Sequence, residues 1–445
     1  MQIECPLTRA SILLQHTSII SMLKITTILN WPHIKQRLDF EFRRIKRKGI
    51  LHIVRKTISH LTSIALWFFL LPMTFLLHFA GYRRVTVFTD RIGHLALEPD
   101  CLLKEQALGY IPKHKWFMLA PPGRVANEHL LSYWEPHFLI IRQPMLCYLI
   151  GSMSKWLLMR YDISHYILAV NKAQAVYRLY SEWGNKPPIL KLSHEDEQWA
   201  AVKLRELGLP KGAWFVCVHV REPGFSPVDE ELHSHRNASI ENIIPAIQEI
   251  TSRGGWVIRV GDSTMTPIIK MPMMIDYAHH PMKSPRMDII LCAKTKFFLG
   301  NTSGIAIVSS VFGVSCALAN MIPVSALSVG FQDITMHKLL WSKALDRYLT
   351  FPEIMVSPVA NFVYPSQYRD SGILLEENSA EDIKMLANEM FELLVNRDKS
   401  VSELKLKPIS MFLPHHYGYG ATNYILNPSR QYGVCTQKKA INDAA

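Results

Sequence analysis

Short apolar runs recur along the chain, and each stops at a polar, often glycine-bearing turn. Arg84-Val-Thr-Val-Phe-Thr-Asp90 alternates and is rich in β-branched residues, which predicts a strand. It ends in the loop Arg91-Ile-Gly93-His94, and a helix follows through Leu103. Lys115–Ala120 predicts a second strand, broken by Pro121-Pro122-Gly123-Arg124, with helical spacing over Asn127–Tyr133 and a short strand at His137–Ile141. Strands alternating with helices in this order predict an α/β fold with a doubly wound parallel sheet.

The second half repeats the pattern. Asn171–Trp183 reads as a helix, Ile189–Leu192 as a short strand and Ser193-His-Glu195-Asp196 as the cap of a helix running to Gly208. Leu209-Pro210-Lys211-Gly212 then separates a second doubly wound unit. Its apolar segments are Trp214–Arg221, Gly255–Asp262 and Lys296–Gly304, and its helices lie over Ile240–Arg253, after Asn301, and over Ala380–Asn396. Ligands of open α/β sheets sit beyond the carboxyl ends of the strands. Three strand ends therefore aim Arg221, Asp262, Asn301, Thr302 and Ser303 at one crevice.

The expected divisions are a basic region and hydrophobic anchor at 1–82, a first Rossmann-like unit at 83–210, a second at 211–410 and a tail at 411–445 that packs back across the cleft. With 445 residues, 49% of them hydrophobic, the chain can bury a large core. The net charge of +12 is concentrated before an apolar segment. Lys35, Arg37, Arg43, Arg44, Lys46, Arg47, Lys48, Arg55 and Lys56 precede the almost continuously apolar stretch Leu61–Ala80. That placement favours an anionic membrane surface over nucleic acid, whose binders interleave basic and aromatic residues along a groove. Pro72, Thr62, Ser63, Thr74 and His78 dilute the apolar stretch, and Arg83 and Arg84 follow it, so an interfacial or dipping anchor is expected. Seven scattered cysteines without a C-x-x-C pair point to a reducing compartment, here the cytoplasmic face of the inner membrane.

Candidate chemistry gathers at the turns. Arg221 can meet a phosphate bidentately beside Gly224, with His219 on the same strand face. Asp262 can accept from ribose hydroxyls or orient Arg259, and Asp276 can contact a base edge. Ser284, Arg286 and Asp288 can meet a diphosphate, and Asn301-Thr302-Ser303-Gly304 opens a helix whose free N–H groups favour an anion. The same residue types also make ordinary caps and turns. Among Asp90, His94, Glu98 and Asp100 after the first strand, Asp90 and His94 lie nearest its end and are the candidates to deprotonate an acceptor hydroxyl. The pairs His233/His235, His279/His280 and His415/His416 lack further ligands at metal spacing, so no metal is expected. Asp-x-Asp, G-x-x-x-x-G-K-[ST] and G-x-G-x-x-G are all absent.

Arg91-Ile-Gly-His94-Leu-Ala-Leu97, His219-Val-Arg221-Glu222, Arg236-Asn237-Ala-Ser-Ile240, Gly254–Asp262 and Leu299–Gly304 together resemble a bacterial family of glycosyltransferases of surface polysaccharide synthesis. More distantly, His-x-Arg and Ser-Pro-Arg-Met-Asp look like donor-domain motifs of GT-B fucosyltransferases. The resemblance covers roughly residues 84 to 340. It implies a GT-B fold, two Rossmann-like domains facing across a cleft, a nucleotide-sugar donor on the C-terminal one and no cofactor. It also implies that Arg221 holds the donor diphosphate. Glu222-Pro223-Gly224 departs from the fucosyltransferase pattern and argues against GDP-fucose. The function expected is metal-independent sugar transfer to a surface glycan or lipid-linked acceptor. A nucleotide-sugar epimerase and a non-catalytic membrane scaffold are the alternatives.

Overall fold

The computed structural model describes residues 50–154, 160–161, 179–180, 182–225, 227–324, 330, 332–395, 406–408 and 423–425. The basic block before residue 50 and nearly all of the 411–445 tail fall outside them. By internal packing the chain divides after Leu71 into 1–71 and 72–445. A 30-residue helix, α1 (Ile50–Phe79), contains Pro72. It leaves Ile58, Leu61, Phe68, Leu76 and Phe79 exposed. Among the described residues, no helix is long and apolar enough to cross a membrane.

Two largely parallel sheets form within 72–445. The first has the order β3 (Leu139–Ile141), β2 (Lys115–Leu119), β1 (Tyr82–Val85), β4 (Arg160–Tyr161), all parallel. The second runs β14 (Leu406–Pro408), β15 (Asn423–Ile425), β10 (Ile334–His337), β9 (Cys316–Met321), β8 (Phe298–Gly300), β5 (Phe215–His219), β6 (Trp256–Arg259), β7 (Met274–Asp276), parallel except for the antiparallel edge pair β14–β15. A third, antiparallel sheet joins β12 (Arg347–Tyr348), β11 (Leu339–Ser342) and β13 (Ile373–Glu376). The chain pattern gave no hint of it. Every residue of β5 is buried, as a parallel strand covered on both faces requires.

Alternation along β5 explains that burial. Cys217 faces one apolar cluster, whereas Val216 and Val218 face a second with Ile247, Val257, Phe297, Leu386 and Met390. The first cluster holds Val85, Leu95 and Trp134 beside the first sheet together with Cys217, Ile258, Tyr277 and Val308 beside the second. This cluster runs beneath both sheets. Its central seam packs α2 (Ile92–Ala107) on the later helix α9 (Gly304–Val311).

The intervening helices are α3 (Glu128–Ser132), α4 (Pro144–Ser154), α5 (His194–Glu206), α6 (Pro227–His233), α7 (Ile244–Ser252) and α8 (Pro285–Lys294), and α10 (Phe351–Val356), α11 (Pro365–Asp370) and α12 (Ala380–Val395) follow. Side chains of Asn127, Ser193 and Ser284 cap α3, α5 and α8 by accepting from the third residue on. The strand expected at Ile189–Leu192 does not form: Ile189 lies in a bend and 190–192 join no sheet, with Leu190 buried beyond Pro187-Pro188. Most of the helix expected at Asn171–Trp183 lies outside the described residues.

Candidate functional site

Because β5, β6 and β8 are parallel neighbours, their carboxyl ends share one edge. There Asn301, 2% exposed, ties two strand ends together. Its Oδ1 accepts from the Arg221 amide at 2.9 Å, and its Nδ2 donates to the Arg236 carbonyl at 3.1 Å. The Arg221 guanidinium donates to the His233 carbonyl at 3.2 Å and to Asn237 Oδ1, and lies 3.7 Å from Glu230. Arg236 donates to the Thr302 carbonyl at 3.0 Å, and Lys338 Nζ to the Asn237 carbonyl at 2.6 Å. Three cations thus frame the segments 233–237 and 301–302. Burial lowers the Lys338 pKa, against the pull of Glu377 3.8 Å away.

Thr302 Oγ1 is taken up by Ile322, accepting from its amide at 3.1 Å. Ser303 stands at the N-cap of α9 but makes no side-chain cap bond, and its enclosed Oγ has no partner among the described residues. The first N–H groups of α9 therefore face this corner under a favourable helix dipole.

The helix after the first sheet's β1 brings a histidine beside the start of α9. His94 Nδ1 lies 2.8 Å from Glu98 Oε1, one helical turn on, and Glu98 is fully buried with its second oxygen 3.3 Å from the Phe88 amide. This contact orients the ring, with Nδ1 toward the buried carboxylate. The Phe88 ring packs edgewise on the imidazole at 5.2 Å. Immediately before His94, Gly93 meets Gly304: a Cβ on Gly93 would fall 2.9 Å from the Gly304 Cα. His94 is therefore one residue from the start of α9. Asp90 is exposed in the turn before α2 and does not join this pair.

The remaining candidates are engaged elsewhere. Arg259 was expected to face the donor, yet it is fully buried, 2.7 Å from Glu222, 3.3 Å from Asp276 and 2.6 Å from the Thr266 carbonyl. Asp276 also contacts His279 at 3.0 Å, so the Arg259–Asp276 pair ties β6 to β7 and the turn that follows. His219 is buried with Nδ1 3.0 Å from the Val260 carbonyl, and burial pushes its pKa down to about 4. Asp262 turns back onto the Thr264 amide at 2.9 Å. Ser284 is the cap of α8, and Asp288 lies 2.9 Å from Lys283.

Arg286 bonds Asp196 at 2.7 Å and Glu195 at 2.8 Å on α5, and its guanidinium lies 4.8 Å from the centre of the Trp199 ring. Burial pushes the Asp196 carboxyl up, but hydrogen bonds from Tyr133, His129 and Arg286 outweigh it and leave the pKa lowered. Arg286 thus ties the start of α8 to the first turn of α5. Sequence reasoning missed Lys338 and the pairing of Glu98 with His94, and it had Arg236 and Asn237 only as part of a resemblance motif, without a role. For Glu98 the signal was its i,i+4 spacing from His94 on a predicted helix. Among the described residues, no three His, Cys, Asp or Glu side chains are grouped to hold a metal ion.

No family model matches the chain, and no curated protein matches it. Among solved structures, the glycosyl transferase family 9 protein of Veillonella parvula DSM 2008 aligns at 10% identity over 51% of this chain, with a TM-score of 0.26. The chain spans 62% of that protein's length. E. coli heptosyltransferase WaaC with ADP aligns at 13% identity over 57% of this chain and 90% of its own, TM-score 0.31. E. coli ADP-heptose LPS heptosyltransferase II aligns at 13% identity over 71% and 100%, TM-score 0.36. Likenesses at this level assign no activity to the chain.

Proposed function

We propose that the protein is a glycosyltransferase that moves a sugar, a hexose or deoxyhexose, from a nucleotide-sugar to an acceptor hydroxyl without a resident metal. The observation that carries this reading is the His94–Glu98 pair set against the N-terminus of α9 through the Gly93–Gly304 contact. A general base and an anion-favouring corner then meet at one point, the arrangement that displacement of a diphosphate requires.

In this mechanism His94 Nε2 takes the proton from the acceptor hydroxyl as its oxygen bonds to the anomeric carbon. The bond from that carbon to the diphosphate oxygen breaks, and the nucleoside diphosphate leaves with the electron pair. Glu98, held by the Phe88 amide, stabilises the imidazolium. The developing charge on the leaving group is met by the first N–H groups of α9, by the Ser303 hydroxyl and by Arg221 and Arg236, the role a metal plays elsewhere. The acceptor we propose is a lipid-linked or growing surface glycan at the cytoplasmic face of the inner membrane. The basic block before residue 50 and the exposed apolar side chains of α1 support that location.

The test is calorimetric titration with ADP, GDP and UDP, followed by incubation of the matching nucleotide-sugars with lipid-linked acceptor. Release of nucleoside diphosphate together with glycosylated acceptor supports the reading. Epimerised donor without transfer moves the protein to the epimerase class, and a folded sample that binds no nucleotide overturns catalysis on nucleotide-sugars.

A further inference from the structure

A cavity of about 220 Å³ lies away from the His94 pair, between His235 and the α11–β13 turn. Its wall includes His235, Tyr368, Gly372 and Ile373, with Lys343 and Arg369 also lining it. Lys343 is exposed, and Arg369 is largely exposed with a 3.4 Å contact to Asp370, so both cations stand toward solvent.

His235 is the unusual member. It is only 8% exposed, and neither ring nitrogen has a hydrogen-bond partner among the described residues. A buried polar group left unpaired costs about 1 to 3 kcal/mol. Its neighbours are rings: His233 at 6.2 Å and Tyr368 at 5.8 Å between centroids, and the Tyr368 hydroxyl is already committed to the Phe362 carbonyl at 2.7 Å. Burial, reinforced by Arg236, His233, Lys338 and Arg221, pushes the His235 pKa down to about 3, so the ring is neutral near pH 7.

A neutral imidazole offers one N–H donor and one bare nitrogen acceptor. An occupant that satisfies both must carry an acceptor group and a hydroxyl or amine donor. The surrounding cations select an anionic acceptor, for which arginine and lysine are the usual partners. The small volume excludes an entire nucleotide-sugar, since pockets for larger, drug-sized ligands run from about 300 Å³ upward.

We propose that this cavity binds a small sugar or polyol phosphate, with its hydroxyls on His235 and its phosphate between Lys343 and Arg369. The site is distinct from the donor corner but adjoins it. His235 lies between His233, whose carbonyl accepts from Arg221, and Asn237, whose Oδ1 does the same. Occupancy therefore stiffens the segment that holds Arg221.

The test is calorimetric titration of the full-length protein with glucose 6-phosphate, with glucose and inorganic phosphate as comparators. Glucose 6-phosphate is expected to bind and glucose not, with inorganic phosphate weaker by about tenfold for want of the hydroxyl contacts. His235→Phe, which keeps the ring and removes both nitrogens, and the surface double variant Lys343→Ala/Arg369→Ala should each weaken binding by about tenfold or more. A saturating excess of ADP, GDP or UDP should leave binding in place. Absence of binding to the wild type, or equal affinity in the double variant, overturns the proposal. So does displacement by a nucleoside diphosphate. The double variant alters exposed side chains, so the result stands even if His235→Phe fails to fold. Because no donor or transfer is involved, failure here leaves the transferase reading intact, and the reverse also holds.

Discussion

A Cβ placed on Gly93 would come within 2.9 Å of the Gly304 Cα, and one on Gly304 within 2.9 Å of the Gly93 nitrogen. The first turns of α2 and α9 therefore meet backbone to backbone, and neither glycine is there for an unusual φ. Gly93→Ala or Gly304→Ala must push the helices apart. Overpacking of this kind destabilises by about 1 to 3 kcal/mol. We expect a lower Tm and a larger proportional loss of transfer than of nucleotide affinity, because His94 moves with the helix. Unaltered turnover in a folded Gly93→Ala protein would show that the contact does not set the catalytic distance.

Removing the base should separate chemistry from binding. His94→Ala is expected to lower kcat by about 10²- to 10⁴-fold with nucleotide affinity retained. Glu98→Gln keeps a group near Nδ1 but loses the charge that steadies the imidazolium, so it should fall between wild type and His94→Ala. Turnover of either variant at the wild-type rate removes the pair from catalysis.

The two candidate arginines should behave oppositely. Arg221→Ala is expected to abolish detectable nucleotide binding while the protein stays folded, as its head group is partly exposed. Arg259→Ala strands Glu222 and Asp276 around a vacated buried position and is expected to destabilise by about 3 to 5 kcal/mol. Urea denaturation and calorimetry on both variants check the contrast. A stable Arg259→Ala protein that has lost only nucleotide affinity would return that residue to the binding site.

Stability should decline in mild acid. Burial holds His219 at about 4, and His235 and His337 at about 3, against an ordinary 6.5. The unfolded chain thus takes up protons first. The contribution of these rings is intact above about pH 6.5 and is lost progressively as pH falls toward 4, by up to about 1.4 kcal/mol per histidine per unit. Urea midpoints measured between pH 7.5 and 5 should fall, and His219→Gln should make the slope shallower. An equally steep slope in that variant would mean that His219 is protonated or exposed in the native protein.

Much of the framework was legible because apolar runs bounded by glycine turns are how parallel strands look in sequence. β2 and β5 fall where the pattern put them, within a residue or two, and β6 ends three residues before the segment read as Gly255–Asp262. The third sheet was not legible, since Arg347–Tyr348 is too short to show a period and β11 pairs with β13 more than 30 residues later. At the site, polarity at a strand end misled. Arg259 and Asp276 look like ligand contacts until it is known that each satisfies the other, and that pairing depends on register between β6 and β7. Asn301 and Arg221 were placed together correctly by strand direction. Arg236 and Lys338 were not, because they arrive from a loop and from the end of β10.

The apolar cluster that includes Leu95, Trp134, Cys217, Ile258 and Val308 bears on how this protein can be handled. A fragment cut near residue 210 would leave large greasy surfaces on both pieces, so neither half is a self-sufficient folding unit. Melting should accordingly register as a single cooperative event, and exchanging one half for that of another protein would have to carry over the matching underside of its other half.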